Sequence, residues 1–174
     1  MKNNNAMEFV AKNGDELARN IFFYAHNLVA DYYDVFWNIL ESTKQHKLFR
    51  DQQHAFVSLL TTLVSIHTEL EMQAIYEKYG DDVYAKLGEH VTSYYMTFLK
   101  NFTEDEENMA LFLMHNAHEV LLNNENEGVD SLLALQLKRV SGVDEDFSPN
   151  IFHPLTLILS EREKLADIIE SHIS

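Results

Sequence analysis

Cysteine is absent from the sequence, which excludes disulfide bonds, thiolate metal sites and a cysteine nucleophile. Glycine and proline are scarce, with 5 and 2 copies among 174 residues, so long helices are favoured over a β architecture with many turns. No apolar run reaches the roughly 20 residues of a membrane span, and the N-terminus lacks the apolar run of a signal peptide. We therefore expect a soluble, cytoplasmic protein that does not associate with membranes.

Lysine and arginine are also under-represented, with 13 copies against 28 aspartates and glutamates and a net charge of −15. Neither occurs between residues 101 and 137. This balance argues against binding nucleic acid through its phosphates, which needs a basic face, and favours attraction of a basic protein partner. The acidic residues that we expect to contact such a partner are Glu104, Asp105, Glu106, Glu107, Glu125, Glu127 and Asp130.

What the sequence does contain is helical periodicity, within a composition that is 46% hydrophobic. Four segments repeat apolar residues at helical spacing and are joined by short connections, which predicts an all-α antiparallel bundle. The whole chain, residues 1–174, is expected to form one helical domain. The predicted long helices span about 15–43, 51–79, 82–102 and 104–124, with further helices at the C-terminus.

Local signals mark several helix ends. Asp51 is expected to start the second long helix, and Gly80 to end it in a tight turn that leads into the third. A second tight turn is expected at residues 101–103. Gly14 is expected to end a short helix over residues 5–13, before the first long helix begins.

The C-terminal part of the chain fits two kinds of element. Segments 131–140 and 155–159 suit helices or strands, because their leucines alternate while their flanking residues suit helix ends. A small hairpin of 132–139 with 155–159 is thus an alternative to C-terminal helices. Ser160 and Glu163 match a capping box, which predicts the start of a final helix. The C-terminal helices either close the bundle or form the interface of a homodimer.

The candidate chemistry centres on His67 and Glu71, one turn apart in the second long helix. A helical wheel places both within an apolar arc, where a carboxylate beside an imidazole must be paired, protonated or metal-bound. Either they hydrogen-bond each other or a tyrosine hydroxyl, or they coordinate a metal in the bundle core. In the fourth helix, the same kind of wheel places His118 in the core.

The long helices also place histidines in one layer. If the helices alternate in direction, each carries a histidine about 12–18 Å from the same end of the bundle, and the fourth offers His115 or His118. This layer, with the His-x-x-x-Glu element at His67 and Glu71, resembles the hemerythrin-like di-iron bundles and implies an iron site. The sequence departs from that family at Tyr94, where a second histidine of the third helix should stand. The candidate metal ligands are His67, Glu71, His26, His90 and His118.

A second resemblance is to the globins. Residues 32–49 are similar to the second globin helix and the phenylalanine after it, and residues 87–91 are similar to the stretch around a haem-ligating histidine. This resemblance implies a haem group with His90 as its proximal ligand. The chain departs from the globin pattern at residues 94–102, which are too few for the next globin helix.

The sequence favours a non-enzymatic binding or regulatory protein, such as an adaptor, an inhibitor, an immunity protein or the input half of a signalling system. It contains no glycine-rich phosphate loop and no Gly-x-Ser-x-Gly element. We expect its partner to be a basic protein and expect it to need no cofactor. The alternative is a gas-binding or gas-sensing bundle with histidine-ligated iron or haem.

Overall fold

A computed structural model of the protein describes the backbone of residues 2–100 and 106–174, and the side chains of residues 2–98, 100 and 114–174. Within these ranges every regular element is helical, which confirms the predicted all-α bundle, and no helix is long and apolar enough to cross a membrane. Two short 3₁₀ helices precede α2 and α6, at Gln45–Leu48 and Pro149–Phe152. The α-helices are α1 (Lys2–Ser42), α2 (Gln52–Tyr79), α3 (Asp81–Leu99), α4 (Glu106–Asn123), α5 (Val129–Ser141), α6 (His153–Glu161) and α7 (Leu165–Ile173).

Helix α2 lies at the centre of the bundle. It packs against α1, α3, α4, α5 and α7, and every residue from 58 to 68 is buried. The polar side chains of this stretch must find partners inside the protein, as when Gln136 of α5 donates a hydrogen bond of 3.0 Å to the Ser65 hydroxyl. Side chains of α2 therefore face different neighbours according to their position around the helix.

Helix α2 begins and ends at the residues that the sequence indicates. The Asp51 carboxylate accepts a hydrogen bond of 2.7 Å from the His54 N–H, so the residue predicted to start this helix is its N-terminal cap. Gly80 has a φ of 81°, which suits glycine, and it carries the chain from α2 directly into α3. The predicted turn at residues 101–103 lies outside the described residues.

Helix α1 runs without interruption through Gly14, so the predicted break between residues 5–13 and the first long helix is wrong. Gly14 is buried against the ring of His90 on α3, and a Cβ atom at this position would lie 2.2 Å from the ring Cδ2. His90 Nδ1 also lies 2.7 Å from the carboxylate of Asp15. The glycine thus permits a close approach of α3 to α1 and does not end a helix.

The two ambiguous C-terminal segments lie in α5 and α6, so the hairpin of 132–139 with 155–159 is wrong. The alternating leucines follow helical spacing. Leu133 and Leu137, one helical turn apart, are fully buried, whereas Leu135 between them is half-buried. A period of two in so short a segment cannot distinguish a strand from a helix that is covered on more than one side.

The final helix begins later than its predicted capping box. Ser160 lies within α6 and α7 starts at Leu165, so the box of Ser160 with Glu163 is wrong. The backbone N–H of Leu165 is instead accepted by the carboxylate of Glu71 on α2, at 2.9 Å. A distant side chain therefore satisfies the first turn of α7.

Candidate functional site

A cleft of about 490 Å³ opens between α2, α3, α4 and α5. This volume falls within the roughly 300–1,000 Å³ of typical ligand pockets. No lysine or arginine lines the cleft within the part of the chain that the structure describes. Its apolar surface comes mainly from leucine and valine side chains of α2, α4 and α5, namely Leu70, Leu121, Leu122, Val129 and Leu132.

Two tyrosines stand where α2 meets α3. Tyr76 in the last turn of α2 and Tyr84 near the start of α3 lie on either side of Gly80, and their rings meet edge to face with centroids 5.8 Å apart. Tyr76 is 50% exposed and Leu122 of α4, also in the cleft, is 62% exposed. Large apolar side chains left exposed around a concave surface are typical of contact sites for a partner or ligand.

Glu69 of α2 is the least exposed carboxylate of the cleft, with its side chain 17% exposed. His118 of α4 places Nδ1 3.5 Å from Glu69 Oε2 and is itself 55% exposed. The predicted core position of His118 is therefore wrong, because Ala117 and Val120 form the buried side of this part of α4. Burial raises the pKa of the Glu69 carboxyl, and the nearby His118 opposes that rise.

Glu125 and Glu127 stand exposed on the rim of the cleft, in the connection between α4 and α5. Two of the acidic residues predicted to bind a partner thus belong to this cleft. Asp130 does not, because its carboxylate accepts a hydrogen bond from Thr156 and lies 3.2 Å from His153, both on α6. It joins α5 to α6.

The other acidic residues of the predicted partner surface lie near the start of α4. Glu104 and Asp105 are outside the described residues. Glu106 and Glu107 are the first two residues of α4, and their side chains are likewise outside the description. Their part in binding a partner stays a prediction.

His67 and Glu71 are buried, as their wheel positions indicate, but each has a partner from the C-terminal part of the chain. The His67 side chain is 2% exposed, and its Nε2 accepts a hydrogen bond from the Arg162 guanidinium. Glu71 Oε2 accepts the Leu165 N–H described above. His67 Nε2 and Glu71 Oε1 are 4.0 Å apart, so the predicted hydrogen bond between the two side chains is not formed.

Arg162 reaches this cluster from the connection between α6 and α7. Its guanidinium lies over the ring of Tyr24 on α1, 4.4 Å from the centroid. Burial lowers the pKa of Arg162, while the charge of Glu71 opposes the change. Burial, together with the positive charges of Arg162 and Lys164, lowers the pKa of His67 to about 3. His67 is therefore a neutral hydrogen-bond acceptor that holds Arg162 at the junction of α2 and α7.

The histidines predicted to share one layer have separate surroundings. His26 is exposed on α1, and the centroid of its ring lies 6.4 Å from that of Phe56. His90 pairs with Asp15, and His118 faces the cleft. Among the described residues there is no group of three or more histidines, aspartates or glutamates that could hold a metal ion. Iron and haem binding therefore stay predictions without an assembled set of ligands in the part of the chain described.

Glu69, Tyr84 and Arg162 are site residues that the sequence pattern does not single out. Glu69 lies on the side of its helix nearly opposite the apolar arc centred on His67, and Arg162 lies in a connection with no periodicity to place it. One signal was present for the tyrosines. Tyr76 and Tyr84 stand four residues before and four residues after Gly80, and such symmetry about a tight turn indicates contact.

These features define an all-α bundle with an acidic cleft on one side of its central helix and a buried histidine–arginine–glutamate cluster elsewhere along it. The chain matches no protein-family model, no curated protein and no solved structure.

Proposed function

We propose that the protein is a non-enzymatic binding module whose cleft accepts a basic, apolar segment of a partner protein. The observation that carries this proposal is the composition of the cleft. A leucine-rich surface is bordered by Glu69, Glu125 and Glu127, with no lysine or arginine among its described lining residues. Such a surface complements a segment that pairs apolar side chains with positive charge.

The exposed side chains of the cleft favour a macromolecular occupant. Tyr76 and Leu122 keep half or more of their surface in water, and a partner that covers them would remove that apolar area from solvent. An amphipathic helix meets both requirements, since it lays an apolar face into a groove and carries charges along its border. The net charge of −15 adds long-range attraction for such a segment.

The experiment titrates the isotopically labelled protein with an amphipathic helical peptide of leucine and lysine, followed by NMR chemical shifts. A peptide of leucine and glutamate with the same pattern is the control ligand. We expect the lysine peptide alone to bind, with shifts concentrated at the ends of α2 and α4 and the start of α5. Binding should weaken as salt is raised, because the Debye length falls from about 10 Å at 0.1 M to about 3 Å at 1 M.

Two matched variants locate the binding surface. Glu125→Gln with Glu127→Gln should weaken binding about three- to tenfold, the effect of removing two exposed charges next to the bound segment. Asp31→Asn with Asp34→Asn changes the net charge equally on the exposed side of α1 and should have less effect. Equal losses in the two variants, or shifts scattered over the surface, would contradict binding in the cleft.

A further inference from the structure

The cleft and the buried cluster use the same kinds of side chain around helix α2. In the buried cluster, the guanidinium of Arg162 donates a hydrogen bond to His67 and lies over the ring of Tyr24, and the charge of Glu71 attracts it. The cleft also brings together a glutamate, a histidine and a tyrosine, which are Glu69, His118 and Tyr84. No arginine is among the described residues that line it.

From this correspondence, and resting on the proposed function, we infer that the cleft recognises one arginine side chain of the partner segment, which replaces His118 as the partner of Glu69. Arginine suits this position because its planar guanidinium pairs with a carboxylate through two hydrogen bonds and also stacks on an aromatic ring. The protein already stacks a guanidinium on an aromatic ring, that of Arg162, 4.4 Å from the centre of the Tyr24 ring.

The negative charge of Glu69 is poorly compensated in the free protein, so a cationic partner would stabilise it. Its side chain is only 17% exposed, so much of the water that would stabilise its negative charge is excluded. Among the described residues, the charge partner of Glu69 is His118 Nδ1 at 3.5 Å, which is beyond good hydrogen-bond length. Tyr84 lies close enough to the same carboxylate to be affected by it: burial, and secondly the charge of Glu69, raise the pKa of the Tyr84 hydroxyl. A permanently charged guanidinium would compensate Glu69 more fully than an imidazole.

His118 is placed so that it can leave. Its side chain is 55% exposed, so turning it into solvent uncovers little apolar surface. Its place beside Glu69 would then be open to a cation that enters from the cleft. His118 is thus a competitor for Glu69 in the free protein, and its removal should favour the arginine.

The test uses the leucine–lysine peptide and a series in which each lysine in turn is replaced by arginine or by citrulline, the neutral isostere of arginine. Affinity is measured by calorimetry with the wild-type protein, Glu69→Gln and His118→Ala. At one peptide position we expect arginine to bind at least about tenfold more tightly than citrulline, as for a charge-assisted pair. Glu69→Gln should abolish that difference at this position and leave the other positions unchanged, and His118→Ala should tighten the arginine peptide.

The outcomes separate this inference from the proposed function. If every position responds alike and Glu69→Gln has no specific effect, while Glu125→Gln with Glu127→Gln still weakens binding, the arginine site is wrong and the binding cleft stands. If no peptide binds at the cleft, both are wrong. Agmatine, a small guanidinium compound, is the last probe. Binding of agmatine as tight as that of the peptide would overturn the assignment to a protein side chain.

Discussion

The buried His67 should make the protein less stable as the pH falls below neutrality. In the folded protein its pKa is lowered to about 3, against 6.5 for an ordinary histidine. The groups that face it are Arg162, Lys164, Glu71 and Tyr24, and the two cations oppose its protonation. Because the unfolded chain binds the proton more readily, stability that is fully present above pH 6.5 is lost progressively as the pH falls towards 3.

The size of the effect follows from the difference in pKa. At about 1.36 kcal/mol per pH unit, His67 should reduce the free energy of unfolding by about 2 kcal/mol at pH 5 and by about 3 kcal/mol at pH 4, relative to pH 7.5. The variant His67→Gln keeps a hydrogen-bond acceptor for Arg162 and cannot titrate. The wild-type stability minus the variant stability should therefore fall by these amounts as the pH is lowered.

Urea unfolding at several pH values measures this difference, with fluorescence of the single tryptophan, Trp37, as the signal. The control is His26→Gln, which makes the same substitution at an exposed histidine on α1, away from the buried cluster. A difference between wild type and His67→Gln that stays constant from about pH 7.5 to pH 5 would refute the buried, neutral state of His67.

Three further changes test the packing, each by urea or thermal unfolding. Gly14→Ala, which ordinarily stabilises a helix by about 1 kcal/mol, should here destabilise by about 1–3 kcal/mol because its Cβ meets His90, and it should become stabilising when combined with His90→Ala. Arg162→Met should destabilise by about 1–3 kcal/mol because it leaves the buried His67 Nε2 without its donor, and adding Glu71→Gln should recover the part of the loss that comes from the charge of Glu71. Asp51→Ala should lower the unfolding midpoint through loss of the α2 cap, and an unchanged midpoint would contradict that role.

The parts of the fold that could be predicted are those whose causes lie within a few residues. Asp51 caps α2 through the N–H of His54, three residues away, and Gly80 supplies its own positive φ. The prediction at Gly14 is wrong because this glycine is required by a contact with His90, which lies far along the chain on another helix. A glycine that ends a helix and a glycine that admits a neighbour look the same in a sequence.

The sites could be predicted only in part, for the same physical reason. A helical wheel ranks positions by their likeness to a buried face, and it correctly placed His67 and Glu71 inside. It contains no information on what lies opposite, and the hydrogen bonds to His67 and Glu71 come from residues 95 and 94 positions later. His118 shows the converse error, because the arc that looked apolar faces a cleft instead of a filled core.

The distance in sequence between Glu71 and Leu165 has a consequence for how the chain is made. These residues are 94 positions apart, which corresponds to about 5–20 s of synthesis at typical ribosomal rates. During that interval α2 has been synthesised while the backbone donor for Glu71 and the guanidinium for His67 have not. We expect both side chains to remain hydrated on the nascent chain, and the centre of the bundle to become dry only when α7 docks. Helix α7 has nine residues, too few to be stable as an isolated helix, so its docking and its folding should be a single late event.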